Sequence, residues 1–354
     1  MNRSNIKNVA EIAQVSISTV SRVLNNSANV SDELRSRVYK AIEETKYSVN
    51  PIASTLKSAR RNQIAIVLPS LRQTYYTDII KGLSDYCYER QVTPVILESG
   101  GEPEKEQKII ENLEKQWVDG IVLIPGKNAG TPGYLEFIDS LSQLKKQDSR
   151  IPVVLAECTD LSSHLDCVRV DYEKAFYQMT YHLLEIGRRR VAYLSCPESS
   201  SLHEICREAY RRAVRDYGYQ VDDALTRCSE YTILGGYQAM NEMLADGLEF
   251  DGLICVNDQV ASGALHALKE SGGRGEKVAI VGFGGVAMSI ITTPSITTMI
   301  APRYKLGSEA ARLLFERING ASGDARELIL SSHMAIREST LRTAFKRLDT
   351  MFEE

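Results

Sequence analysis

From residue 63 onward, short β-rich runs alternate with helix-length amphipathic segments, and this alternation constrains the fold more than any other feature. The runs lie at 64–69, 94–99, 119–125, 152–157, 167–171, 190–195, 251–257 and 277–283. Strands that alternate with helices form parallel sheets with helices on both faces. The sequence therefore predicts an α/β fold with doubly wound parallel sheets.

A weak internal repeat indicates that this α/β region contains two similar lobes. The run DGIVLIP at 119 resembles DGLICVN at 251. The first follows the strand at 64, and the second follows the strand at 191, at nearly the same spacing. Ligands of open parallel sheets bind beyond the carboxyl ends of the strands. We therefore expect a binding cleft between the two lobes.

The bulk properties are those of a soluble multidomain protein. The chain has 354 residues, of which 43% are hydrophobic and 25% are charged, and single cores stop growing at roughly 250–300 residues. No apolar run is long enough to span a membrane, and the first residues, MNRSNIKNVAEIAQ, lack the apolar core of a secretory signal. We expect a cytoplasmic protein with no membrane partner, whose seven scattered cysteines are free thiols.

Charge is divided unevenly along the chain. Residues 1–61 contain ten Lys/Arg and five Asp/Glu, a net charge of +5, whereas the remaining residues contain 32 basic and 41 acidic side chains, a net charge of −9. A basic head on an acidic body is typical of a module that binds a polyanion, attached to one that does not.

The basic head contains two short amphipathic helices separated by a tight turn. Ile6, Val9, Ala10 and Ala13 form one apolar stripe, which Asn5 can cap. Ser16 can cap a second helix, to about residue 25, whose buried face is Val20, Val23 and Leu24. This spacing predicts a helix-turn-helix, in which the second helix enters the major groove of DNA.

The exposed face of the second helix identifies candidate base-reading residues. Arg22 can donate two hydrogen bonds to guanine, Ser18 can bond base edges or phosphate, and Ile17 can contact a thymine methyl group. Ser16, Thr19 and Ser21 are better placed as caps and phosphate contacts. The alternative for Arg22 is an ordinary solvated surface arginine.

Two further segments complete the predicted head. Ser31 can cap a third helix that closes a three-helix module. Asn50-Pro51 then begins a fragment, IASTLKSA, that is too short to be stable alone and is expected to fold only when two copies meet on DNA. Leu56, the apolar residue near its end, could enter the minor groove and kink a base step, or could pack on the body as a linker residue.

The stretch from Asn5 to Ser58 resembles the DNA-binding head and hinge of LacI-family repressors, and the V-S-x-x-T-V-S-R-V-L-N core at 15–25 is highly specific. The resemblance implies a transcriptional repressor that binds operator DNA through a head (1–48) and a hinge (49–61). One departure is Gln14, where the family usually has glycine or a small turn former, so the turn is expected to carry slight strain. The candidate DNA contacts are Ser16, Ile17, Ser18, Thr19, Ser21, Arg22, Asn25, Ser31, Asn50, Ala53 and Leu56.

The resemblance continues over residues 63–340 on less specific motifs, including VDGIVLIP, VRVDYEKA and the ending IREST. It implies a periplasmic-binding-protein-like body (62–340) that binds an effector between its lobes and forms a homodimer. It also implies that the chain crosses between lobes near residues 160, 291 and 325. Lobe 1 would then comprise about 62–160 and 292–325, and lobe 2 about 161–291 and 326–340.

Candidate effector contacts follow from the strand ends. The first lobe is expected to offer Ser70, Arg72, Tyr75 and Tyr76, and the second Asp171, Asn257 and Asp258. Two tyrosines beside hydrogen-bonding groups suit a sugar, whose faces are apolar and whose rim is polar. The alternative for the tyrosines is packing in the core.

Two departures from the family pattern leave the effector open. Gly284 stands where sugar- and purine-binding relatives usually have aspartate, and Cys206 stands where they tend to have a ligand-binding arginine. The effector could be an atypical sugar or a sugar phosphate bound by Arg72 or Lys127. It could also be replaced by a protein co-regulator, as in catabolite control proteins, because VRVDYEKAFY resembles the corresponding stretch there.

Other functions are not supported by the sequence. It contains no dinucleotide-binding glycine motif, P-loop, nucleophile elbow or metalloprotease motif, and its five histidines lack metal-ligand spacing. We expect no enzymatic activity, cofactor or metal. In the tail, residues 341–354, an apolar stripe of Leu341, Phe345, Leu348 and Phe352 could support a tetramer or fold back on the body.

Overall fold

The structure is a computed structural model that describes residues 5–24, 30–45, 61–115, 118–126, 132–146, 149–159, 164–272 and 277–341. The chain divides into two compact units, residues 1–61 and 62–354. The hinge (49–61) and the tail (341–354) lie outside the described residues, apart from Arg61 and Leu341.

The first unit contains three helices, as predicted, at α1 (Ile6–Ala13), α2 (Ile17–Leu24) and α3 (Asp32–Thr45). Their apolar faces form one small core, in which the α1 and α2 stripes pack against Val38 and Ala41 of α3. Asn5 caps α1 as expected, because its side chain accepts from the backbone N–H groups of Lys7 and Asn8.

The second unit begins with a lobe built on a six-stranded sheet. In chain order its first elements are β1 (Gln63–Leu68), α4 (Tyr75–Glu89), β2 (Thr93–Glu98), α5 (Pro103–Lys115), β3 (Gly120–Leu123), α6 (Pro132–Ser140), a short β4–β5 hairpin (Lys145–Lys146 and Ser149–Arg150), β6 (Val153–Ala156) and β7 (Asp166–Val170).

The second lobe follows, and its sheet also has six strands. Its elements are α7 (Tyr172–Glu185), β8 (Val191–Ser195), α8 (Leu202–Asp216), β9 (Thr226–Cys228), α9 (Ile233–Ala245), β10 (Gly252–Cys255), α10 (Asp258–Glu270), β11 (Ala279–Gly284), α11 (Met288–Ile291) and β12 (Thr297–Ile300). The chain then forms α12 (Arg303–Ile318), β13 (Glu327–Leu330) and β14 (His333–Ala335).

Strand order confirms two similar parallel sheets. The first runs β13-β7-β6-β3-β1-β2 and the second β14-β12-β11-β10-β8-β9. Neighbouring strands are parallel except for the antiparallel pair β12–β14. The central strands are buried on both faces, which is why they read as continuous apolar runs in the sequence.

The predicted crossing points between lobes were wrong. β7 pairs with β6 and β13 in the first sheet, although a crossing near residue 160 would place it in the second lobe. β12 pairs with β11 in the second sheet, although a crossing near 291 would place it in the first lobe. The third crossing comes after β13, not near residue 325. All three crossings therefore lie later in the chain than the resemblance implied.

Each lobe contains one pair of helices whose backbones nearly touch at glycines. A Cβ on Gly307 of α12 would lie 1.9 Å from the carbonyl oxygen of Ile79, and one on Gly82 of α4 would lie 2.0 Å from that of Tyr304. In the second lobe, Gly236 and Gly263 have the same role between α9 and α10. Only a residue without a side chain permits this approach.

We predict that Gly307→Ala lowers the free energy of unfolding by about 1–3 kcal/mol, because the methyl group must push the two helices apart. Urea denaturation monitored by circular dichroism measures the change. Gly133→Ala is the matched control, since a Cβ at this exposed position of α6 meets no atom within 4 Å. Equal effects of the two substitutions would contradict the packing argument.

Candidate functional site

Side-chain hydrogen bonds organise the start of α2. The Ser16 hydroxyl lies 2.6 Å from that of Ser18 and 2.9 Å from that of Thr19, and it accepts from the Thr19 backbone N–H at 3.1 Å. Ser16 is thus the N-cap that the sequence predicted. The cap holds the first turn of α2 in one conformation.

The outward face of α2 carries the candidate base readers. Val20 and Val23 are buried, whereas Ser18 and Arg22 are exposed and Ile17 is 41% exposed. Ser31, which was also a candidate DNA contact, is exposed before α3. The candidates Asn25, Asn50, Ala53 and Leu56 lie outside the described residues.

The turn before α2 has the backbone strain that the sequence predicted at Gln14. Gln14 has φ 51°, in the left-handed region that favours glycine. Arg37 of α3 stabilises this turn, because its guanidinium donates to the carbonyl oxygens of Ala13, at 2.7 Å, and Gln14, at 3.2 Å. The helix-turn-helix is therefore held by α3 as well as by its own core.

A cleft of about 830 Å³, partly open to solvent, lies between the lobes. The segments that follow β1, β3 and β6 contribute one wall. Helix α7, the segments that follow β8, β9 and β10, and Phe283 of β11 contribute the other. This is the position expected for two sheets whose strands end at the same edge. The lining residues are Pro69, Gln73, Tyr75, Tyr76, Ile124, Pro125, Gly126, Glu157, Tyr172, Phe176, Ser200, Ser201, Leu202, Cys206, Tyr231, Val256, Asn257 and Phe283.

Four of the predicted effector residues line this cleft, namely Tyr75, Tyr76, Cys206 and Asn257. Asn257 also caps α10, accepting from the Val260 backbone N–H at 2.7 Å, and its amide donates to the Tyr231 carbonyl oxygen at 3.3 Å. The Cys206 side chain is fully buried, and burial raises the pKa of its thiol.

The other five do not line the cleft. Ser70 accepts from the Arg72 backbone N–H in a turn where Arg72 itself is exposed. Asp171 follows a strand of the first sheet, not of the second lobe, and caps α7. Asp258 is buried, bonded by Thr298 and by the Val286 N–H. Gly284, at φ 120°, leaves room for the Tyr75 ring, which a Cβ would meet at 3.4 Å.

Sequence reasoning missed the carboxyl group and most of the aromatic rings in the cleft. Glu157 ends the strand run PVVLAE, and its φ of 59° is in the left-handed region. Phe283 packs with its ring centroid 5.3 Å from that of Tyr172, 5.6 Å from that of Phe176 and 6.1 Å from that of Tyr75. The position of Glu157 at the end of a strand run could have identified it. The clustering of the aromatic rings, in contrast, depends on how the two lobes meet.

Burial controls the charge of Glu157. The Tyr172 hydroxyl donates to one carboxylate oxygen and the Tyr75 hydroxyl donates to the other at 3.4 Å. Burial nevertheless raises the pKa of Glu157 to about 7, against the lowering effects of these two bonds and of Arg169. The carboxyl is therefore partly protonated at neutral pH.

Contacts between the lobes flank the cleft. The Tyr75 ring from the first lobe stacks on Phe283 from the second. Beside them, Arg303 at the start of α12 forms an ion pair with Asp78 of α4 and donates to the Gly285 carbonyl oxygen at 3.4 Å. These contacts therefore join the two lobes beside the residues that line the cleft.

Two other kinds of site are absent from the part of the chain that the structure describes. No cluster of three or more His, Cys, Asp or Glu is placed to hold a metal ion. None of the helices there is both long and apolar enough to cross a membrane.

A helix-turn-helix head joined in sequence to a two-lobed, cleft-bearing body defines a class: ligand-responsive transcriptional regulators. Two family models match, "Bacterial regulatory proteins, lacI family" over residues 5–50 and "Periplasmic binding proteins and sugar binding domain of LacI family" over residues 61–338. Together they span most of the chain. The chain belongs to the LacI family.

Similar proteins agree with this assignment. The HTH-type transcriptional regulator RegA of Clostridium saccharobutylicum is 30% identical over 96% of this chain and 99% of its own. Catabolite control protein A of Priestia megaterium is 26% identical over 95% of this chain and 98% of its own. Among solved structures, a transcriptional regulator CelR–cellobiose complex is 28% identical over 95% of this chain and 100% of that one, with a TM-score of 0.69.

We predict that Glu157→Gln makes the unliganded protein more stable at high pH. Because the pKa of Glu157 is raised from its ordinary 4.5 to about 7, folding binds a proton and stability falls as pH rises through that range. The variant, which has no such proton, should be more stable than the wild type by about 1–3 kcal/mol at pH 8 and show no advantage near pH 4.5.

Urea denaturation at a series of pH values measures this difference. Glu98→Gln, an exposed position at the end of β2, is the control and should show no pH-dependent change. A Glu157→Gln effect that is constant with pH would show that the carboxyl is not held neutral by burial.

Proposed function

We propose that this DNA-binding regulator acts as a cytoplasmic repressor whose operator affinity is controlled by a small ligand of the sugar class, bound between its lobes. Two copies would pair through their bodies so that two heads read the half-sites of a near-palindromic operator. The cleft carries this proposal, since it combines aromatic faces with hydrogen-bonding side chains at the edge where such sheets bind ligands.

The lining disfavours a sugar phosphate. Among the described residues of the cleft wall, Glu157 is the one Asp, Glu, Lys, Arg or His. Arg72 is exposed outside the lining, and Lys127 lies outside the described residues. A phosphate would meet a carboxyl group here without a described cation to neutralise it. The cellobiose of the CelR complex agrees with the sugar class.

Control by a protein co-regulator is the second candidate, supported by the similarity to catabolite control protein A. The family resemblance implies that Tyr304 and Arg312 lie where the partner surface of catabolite control proteins falls, although Lys305 replaces an expected acid there. In this chain Arg312 is engaged by Glu309 and Glu316 of its own helix, and Tyr304 donates to Asp85. These intramolecular partners favour the cleft ligand over a protein that would need those groups.

A thermal-shift screen with neutral sugars and amino sugars separates the two candidates, because a ligand that binds only the folded state raises its melting temperature. A shift of several degrees with cellobiose, ribose or another sugar would support the cleft ligand. A silent screen, together with DNA retention that depends on an added phosphoprotein, would support the co-regulator.

We predict that Arg22→Ala lowers affinity for an operator recovered by random-sequence selection by about 10–100-fold and relaxes preference at one base pair per half-site, because a bidentate guanine contact is worth about 1–3 kcal/mol. Fluorescence anisotropy at fixed salt measures this. Lys40→Ala removes the same charge from an exposed site on α3 and should weaken all duplexes alike. Failure of the wild type to prefer any duplex would contradict the DNA-binding role itself.

A further inference from the structure

The Glu157 carboxyl lies in the cleft without a free positive partner among the described residues. Arg169, the guanidinium that most lowers its pKa, forms an ion pair with Glu327 on the adjacent strand β13. Arg303, which acts on Tyr75, forms an ion pair with Asp78. Since both guanidinium groups are already neutralised, the ionised carboxylate would add one uncompensated negative charge to an apolar cavity.

Aromatic rings surround this charge. Six rings line the same cleft, from Tyr75, Tyr76, Tyr172, Phe176, Tyr231 and Phe283. The faces of such rings carry partial negative charge and attract cations, most strongly where water is excluded. The ring faces and the carboxylate therefore both favour a positively charged group in a ligand.

Burying a carboxylate is unfavourable unless a proton or a cation neutralises it. The two tyrosine hydroxyls that donate to Glu157 supply hydrogen bonds but no positive charge. Because burial raises the pKa of Glu157 to about 7, a bound proton neutralises part of this charge near neutral pH. A positively charged ligand group beside Glu157 would replace the proton.

We propose that the ligand of this cleft is a sugar that carries a protonated amino group, and that Glu157 binds that group within the aromatic lining. This inference rests on the proposed function, because it names the class of ligand for the same site.

Matched sugar pairs test the proposal on the full-length protein. Glucosamine, galactosamine and mannosamine are compared with glucose, galactose and mannose by calorimetry, since the members of each pair differ in one amino or hydroxyl group. N-acetylglucosamine supplies a neutral amide. At least one amino sugar is expected to bind tenfold or more tightly than both its hydroxyl partner and any neutral sugar. That preference should disappear in Glu157→Gln and persist in the exposed control Glu98→Gln.

A second measurement needs no variant. At pH 6.5, where the sugar amine is mostly protonated, binding should release more than about half a proton, because the cation drives ionisation of a carboxyl whose pKa is about 7. Calorimetry in buffers of different ionisation enthalpy counts those protons. The titratable and charged groups that act on Glu157 are Tyr75 and Tyr76 from α4, Cys167 and Arg169 from β7, and Tyr172 from α7.

The outcomes separate the two levels of inference. A neutral sugar that binds as tightly as its amino partner, or an amino preference that survives in Glu157→Gln, would overturn the amino-sugar proposal and leave the sugar-controlled regulator standing. Binding of an amino sugar without proton release would also overturn it. No binding by any member of the panel would overturn both.

Discussion

Parallel strand pairing is the constraint on which the rest of the body depends. Parallel neighbours need crossover connections, so each sheet requires helices on both faces and brings the carboxyl ends of its strands to one edge. With two such sheets in one unit, those edges form the walls of a single cleft. The residues that line it, apart from Phe283 of β11, therefore lie in segments that follow strands.

Local features of the chain could be predicted from its sequence, whereas the pairing of distant strands could not. Apolar runs and caps are local, so α1 was predicted to the residue and the central strands to within a few. The choice of sheet for β7, β12 and β13 is not local, because the residues of a strand do not show which neighbour it will pair with. Only pairing such as that of β13 with β7 decides it, and the predicted lobe boundaries failed there.

The candidate site divides in the same way. Tyr75, Tyr76 and Asn257 were found because they follow strands in the sequence, and Cys206 because the family resemblance marked its position. Asp258 also follows a strand, but its neighbours Thr298 and Val286 turn its carboxyl into a buried structural group. Whether a side chain is exposed to the cleft depends on its partners from distant segments. Its position relative to one strand does not show those partners.

The site also connects ligand binding to lobe geometry. A ligand shifts a conformational equilibrium only by its difference in affinity between the two states. Tyr75 and Phe283 belong to different lobes and stack on each other at the cleft, and Glu157 is bonded by tyrosines on either side of the first crossing, Tyr75 and Tyr172. Under the proposed function, a group bound at Glu157 would touch this cluster directly, and its binding energy would differ between lobe arrangements. Because the pKa of the same carboxyl is raised to about 7, such a lobe equilibrium and the charge of the cleft would be linked through one residue.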